Sequence, residues 1–147
     1  MPLEVEVVSR VRRLYHTDHA EMVIIPGSEG EMGVLPNHAP LLTTLAFGEL
    51  RIVEGEDVVS FVVYGGVVEV RPDKVTVLAD DADSVYELDM VQIEEARNRA
   101  RDLMASSPSA GQRAEIAQEL RRVEIAAKVH GRVQGRSPRV RSVGDED

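Results

Sequence analysis

Gly30-Glu31-Met32-Gly33-Val34-Leu35-Pro36-Asn37-His38-Ala39-Pro40-Leu41-Leu42 holds two glycines, two prolines and an Asn-His pair, and has no helical period. Glycine opens backbone angles closed to other residues, while each proline fixes φ and removes a donor. The stretch reads as a shaped, rigid loop rather than a regular element. What surrounds it is short and β-rich. Residues 3–7 alternate as Leu-Glu-Val-Glu-Val, the period of a half-buried strand. Similar runs follow at Val11–His16, Met22–Pro26, Leu41–Leu45, Leu50–Glu54, Val58–Tyr64, Val67–Arg71 and Lys74–Leu78. Turn signals separate them at Pro26-Gly27-Ser28, Glu54-Gly55-Glu56-Asp57, Gly65-Gly66 and Pro72-Asp73. Many short strands with no helix between them predict an antiparallel sandwich or barrel over residues 1–84.

After Asp83 the period changes. Ile93, Ala96, Ala100 and Leu103 form a helical stripe, and Asp89 with Gln92 three residues on reads as a capping box. Ser106-Ser107-Pro108-Ser109 makes a turn, with serines and a proline suited to starting a second helix. Ile116, Leu120, Val123 and Ala127 stripe that helix, with Ala110, Ala114 and Ala117 on a small-residue flank. Residues 85–133 are therefore read as an antiparallel two-helix hairpin with helices of about 17–22 residues. Its seam is thin, so it must lean on the sandwich or on a partner. The tail, 134–147, lacks periodicity and is read as disordered.

Composition bounds the function. With 43% apolar and 29% charged residues in 147, the chain is globular in type. Two Phe, three Tyr and no Trp make the core aliphatic. The absence of cysteine removes disulfides, thiolate metal sites and cysteine nucleophiles. No apolar run approaches the ~20 residues of a membrane span, and the start lacks a signal-peptide pattern; a soluble intracellular protein is expected. Residues 1–84 hold 6 Lys+Arg and 15 Asp+Glu, net −9, whereas residues 109–144 hold 8 basic and 3 acidic, net +5. An acidic first half is a poor nucleic-acid binder. Only Arg136, Arg139 and Arg141 suggest a nucleic-acid tail.

Catalytic signals are weak. There is no phosphate-binding Gly-rich loop, nucleophile elbow or His-Glu-x-x-His. His16, Asp18 and His19 make the nearest metal-like cluster, at a strand-to-strand turn where such residues are more often solvated. His38 has no sequence-near carboxylate or nucleophile, so loop packing or an interface is its plainer role. Glu29 and Glu31 flank Gly30 as neighbouring, ordinarily solvated carboxylates. Arg113, Arg121, Arg122, Lys128 and Arg132 form a basic run that sets approach and register more than affinity toward an acidic partner.

Gly30–Leu42, Gly65-Gly66-Val67-Val68-Glu69-Val70 and Val75-Thr76-Val77-Leu78-Ala79-Asp80 together resemble the epsilon subunit of the rotary F-type ATP synthase, a likeness spanning about residues 3–130. The resemblance implies a mainly β protein with α: an N-terminal sandwich of about ten strands, then a C-terminal hairpin. It implies a non-catalytic central-stalk subunit with gamma, the c-ring and the alpha/beta catalytic head as partners. It implies a peripheral position on the cytoplasmic face of the cell membrane, with no nucleic acid and no metal. By this likeness Glu31 and Met32, in the loop 29–32, face the ring, and His38 lies toward gamma. The hairpin becomes an inhibitory switch against ATP hydrolysis, with Arg113, Arg121, Arg122 and Lys128 as its contact. Some members bind ATP as a regulatory ligand through Leu/Ile-Asp-x-x-Arg-Ala; here Leu88-Asp89 is followed by Gln92 and Ile93. Losing that arginine removes a phosphate partner, which leaves Asp89 and Arg99 as the residues for a nucleotide. The competing reading is a stand-alone metal-dependent β-barrel enzyme with His16, His19 and His38 as ligands.

Overall fold

The computed structural model describes residues 2–134. The described residues form eight strands: β1 (Leu3–Val8), β2 (Arg13–Ala20), β3 (Met22–Gly27), β4 (Gly30–Val34), β5 (Leu41–Glu54), β6 (Asp57–Val70), β7 (Lys74–Ala79) and β8 (Ala82–Ser84). Their order is β2-β1-β7-β6-β5-β3-β4, with β8 also on β6. Pairing is antiparallel except between β1 and β7, which run parallel. The expected sandwich followed by a two-helix hairpin is the fold; in detail it has eight strands among the described residues where about ten were expected, and one parallel pair in a sheet otherwise antiparallel. Leu41–Leu45 and Leu50–Glu54 are one 14-residue strand, β5, and the two runs from Val58 likewise fuse into the 14-residue β6.

Gly65-Gly66 is therefore no turn. Both glycines take positive φ, 88° and 132°, inside β6. A Cβ on Gly66 would lie 2.2 Å from the Leu78 carbonyl oxygen, so only glycine lets β7 approach there. The opening loop is also corrected, since its first five residues are β4, antiparallel to β3. Ser28 and Glu29 form a two-residue turn closed by the Gly27–Gly30 pair. Only the segment 35–40 remains irregular. β2 begins at Arg13 rather than Val11, because the Ser9 hydroxyl accepts from the N–H groups of Val11 and Arg12 and turns the chain.

Inward residues of all eight strands share one core, including Leu3, Val5, Ile25, Val34, Ile52, Phe61, Val77 and Ala82. Burying each Val, Leu or Ile side chain gives about 1.5–3 kcal/mol, and the alternation along each strand makes that gain specific to one register. Tyr15 of β2 lies 6.1 Å from Phe61 of β6, centroid to centroid, and its hydroxyl donates to Glu54 of β5. β2 and β5 are separated by three strands in the sheet order, so these contacts show the sheet closing over its own core.

The helical part from Glu87 onward is a separate compact unit. Helix α1 spans Met90–Ala105 and α2 spans Ala110–Gln134, whose 25 residues exceed the expected length. Asp89 caps α1 by accepting from the Val91 N–H at 2.9 Å. The reciprocal box belongs to α2 instead: Gln112 accepts from the Ser109 N–H at 3.0 Å, and Ser109 Oγ accepts from the Gln112 N–H at 3.3 Å. Ile93, Val123 and Ala126 are buried in the seam, with Leu88, Ala96 and Ala127 partly so. The expected small-residue flank is absent from it, as Ala110, Ala114 and Ala117 are exposed, and so is Leu103. Arginine bridges the helices: Arg97 reaches Glu124 at 3.0 Å and Glu94 at 2.8 Å, and Arg101 reaches Glu124 at 3.6 Å.

Candidate interaction surface

The β3–β4 hairpin projects Glu31 on edge strand β4. Its carboxylate pairs with Arg51 of β5, Oε1 to Nη2 at 3.1 Å, across the intervening β3. Pro26 sits in β3 where the β3–β5 ladder changes register, the position at which its missing N–H costs least. A Cβ on Gly48 of β5 would lie 2.7 Å from the Pro26 side chain, so a glycine there seats the tip against β5. Met32, expected as an interface residue, is partly buried and packs against the sandwich core. It supports the tip from below.

The loop 35–40 is fixed by the backbone. Asn37, at φ 69°, donates its N–H to the Pro72 carbonyl at 2.7 Å, and the His38 N–H donates to Leu35 at 3.3 Å. His38 Nδ1 donates to the Ala39 carbonyl at 2.7 Å. The ring, half-exposed, has no carboxylate or nucleophile bonded to it among the described residues.

Beside this loop lies a feature the sequence reading missed. Thr44 faces Val67, Val67 faces Leu78 and Leu78 faces Val8, so one row crosses β5, β6, β7 and β1. Leu42 is two residues before Thr44 on the same face. Leu42 is 70% exposed, Leu78 51% and Val67 37%. Isolated exposed apolar residues are ordinary, but neighbouring ones on β5, β6 and β7, with half-buried Val8 of β1 next to Leu78, mark an interaction face. The signal was present: outward positions of these strands carry Leu and Val where a solvated face carries polar residues.

The two histidines proposed as metal ligands lie within β2 rather than at a turn. His16 Nε2 bonds Glu4 at 2.9 Å, whereas His19 bonds Asp18 at 3.0 Å through Nδ1 and Glu54 at 3.0 Å through Nε2. A register shift in β1–β2 between Leu3 and Val5 separates their partners. Among the described residues no group of three His, Asp or Glu is arranged to hold a metal ion.

On the helices, Arg113, Arg121 and Lys128 are exposed and Arg122 is half-buried. At about 100° per residue, Arg121 and Lys128 fall within about 20° of each other, while Arg113 is about 80° and Arg122 about 100° from Arg121. The expected run is thus a face of three with one residue turned away. Asp89 is engaged as a cap, and Arg99 is ten residues on, about 15 Å along the axis. The tail and its Arg136, Arg139 and Arg141 lie outside the described residues.

A closed sandwich carrying a helical hairpin, with an exposed apolar face and no catalytic constellation among the described residues, defines a docking protein. Residues 2–85 match the family described as ATP synthase, Delta/Epsilon chain, beta-sandwich domain. An ATP synthase epsilon chain from Dehalococcoides mccartyi is 42% identical over 128 residues, covering 86% of this chain and 91% of the relative. One from Acidithiobacillus ferridurans is 39% identical over 133 residues, covering 88% and 94%. Among solved structures, a chain of the Euglena gracilis mitochondrial ATP synthase, determined with F1 and the c-ring, superposes with TM-score 0.77 at 23% identity, covering 87% of this chain and 81% of that one. A chain of the Tetrahymena thermophila mitochondrial central stalk and c-ring gives 0.63 at 16%, covering 88% and 97%. The chain belongs to the ATP synthase epsilon chain family, whose members are non-catalytic stalk subunits of that complex. No helix among the described residues is long and apolar enough to cross a membrane.

Proposed function

We propose that this chain couples rotation in the central stalk and restrains ATP hydrolysis. The row Leu42, Val67 and Leu78 seats it on the gamma subunit. The Ser28–Glu31 tip turns toward polar loops of the c-ring, with His38 at the gamma side. Helix α2 serves as a basic arm toward acidic segments of the alpha/beta head. The chain then reaches the membrane only through the complex, as a peripheral protein on the cytoplasmic face. The exposed apolar row carries this reading, because uncovered it leaves Leu and Val side chains in water on an otherwise acidic domain. The stalk and c-ring assemblies that contain its structural neighbours support the same placement.

Leu42→Asp with Leu78→Asp tests it. Both side chains are exposed, so the unfolding midpoint of the isolated chain should stay near the parent's. Co-purification with the tagged complex should fall to background. Recovery at parent stoichiometry would remove this row as the docking face.

A further inference from the structure

We propose that Arg51 is a positioning residue for Glu31: it holds one carboxylate oxygen so that the other is presented to hydrogen-bond donors on a polar partner loop. This rests on the reading of the β3–β4 tip as the ring-facing end. Ile24 of β3 stands between Arg51 and Gly33, and Pro26 faces Glu31, so Arg51 reaches Glu31 diagonally over β3. Gly33 puts no side chain in that path. The Arg51 side chain is only 23% exposed, whereas that of Glu31 is 54%. Arg51 Nε is buried with no hydrogen-bond partner. The guanidinium is thus turned to serve Glu31 at the expense of its own second donor. Among the described residues the Arg51 contact is through Oε1, which leaves Oε2 of this half-exposed side chain for an outside donor.

A half-exposed ion pair adds little to folding, so stability is a poor account of a guanidinium held this way. Docking changes the balance. Glutamate has several free rotamers, and fixing one beforehand is worth a factor of about 2–10 in affinity. The held guanidinium also stays beside the carboxylate as the contact loses water, and bonds from N–H donors to a carboxylate are of the stronger, charge-assisted kind. The fitting partner is a loop rich in backbone or side-chain N–H groups and short of carboxylates.

The test measures binding of labelled chain to ATP synthase stripped of it, for Glu31→Gln, Arg51→Gln, the double variant and Arg51→Lys. Each single Gln variant should weaken binding about 2–10-fold. The double should be no weaker than the worse single, and Arg51→Lys, which keeps the charge, should recover most of the loss. If Glu31→Gln binds like the parent, the ring-facing reading fails and this inference with it. If Glu31→Gln weakens binding but Arg51→Gln does not, or if the losses multiply, the ring-facing reading stands and the positioning role is overturned. Should Arg51→Gln fail to fold, Glu31→Gln in the Arg51→Lys background reads the same coupling.

Discussion

Glu54 ends β5 with its carboxylate buried beneath β2. Tyr15 and Thr17 donate to it, Thr17 at 2.6 Å, and His19 Nε2 lies at 3.0 Å. Glu54→Ala removes the buried carboxylate that the Tyr15 and Thr17 hydroxyls and His19 Nε2 share. The expected loss is about 3–5 kcal/mol, read as a lower urea midpoint with an unchanged slope. A loss under about 1 kcal/mol would show that the groups find water. On the outer face, hydrogen bonding to His16 holds the Glu4 carboxyl below its usual range, and hydrogen bonding to Arg13 does the same for Glu6. A depressed carboxylate stabilises the folded form above its ordinary value of 4.5; that stability drains away as pH falls through the lower folded value. Unfolding midpoints should therefore drop on going from about pH 5 to pH 3, and Glu6→Gln should flatten the drop. An equally steep profile in that variant would assign acid sensitivity elsewhere.

Regular elements were legible where one residue type has one structural use. Alternation located the strands from Leu3, Met22 and Lys74, and Glu54-Gly55-Glu56-Asp57 is the β5–β6 turn, with Gly55 at φ 65°. Gly65-Gly66 misled because two glycines permit either a reversal or a kink; what decides is the Leu78 carbonyl from a strand a dozen residues on. Glu31–Arg51, Glu54 with its donors, and Arg97–Glu124 were invisible for a related reason, since each joins elements whose register no local pattern fixes. The α2 cap tests the element view. Ser109→Ala deletes one side of a reciprocal box and should cost the hairpin about 1 kcal/mol. Amide exchange should then quicken in the first turn of α2 and stay slow in β5. No change in α2 would mean that the turn, rather than the cap, starts the helix.

Charge is arranged across the whole molecule. Residues 1–84 carry net −9, whereas α2 carries Arg113, Arg121, Arg122, Lys128 and Arg132 against Glu115, Glu119 and Glu124, net +2. The rest of the +5 counted over 109–144 comes from Arg136, Arg139 and Arg141, beyond the described residues. An arm of opposite sign to its own domain suits an element held by more than one surface, because each contact stays weak. The helices fit that use: Ile93, Ala100, Val123, Ala126 and Val129 are their buried apolar residues, two of them alanines, and with an arginine bridge they are a light hold for helices of this length. A two-position element needs its states within a few kcal/mol, or no partner could shift it. If the arm restrains hydrolysis by meeting acidic segments, its exposed basic side chains must dominate. Arg121→Glu with Lys128→Glu, exposed and within about 20° on the helix, should relieve inhibition of ATP hydrolysis by the reconstituted complex. Arg122→Glu, turned about 100° away and half-buried, should relieve it less. Steady-state hydrolysis by complexes rebuilt with each variant separates the outcomes. Equal inhibition by the parent and the Arg121/Lys128 variant would exclude this face as the inhibitory contact, whatever the arm's overall charge.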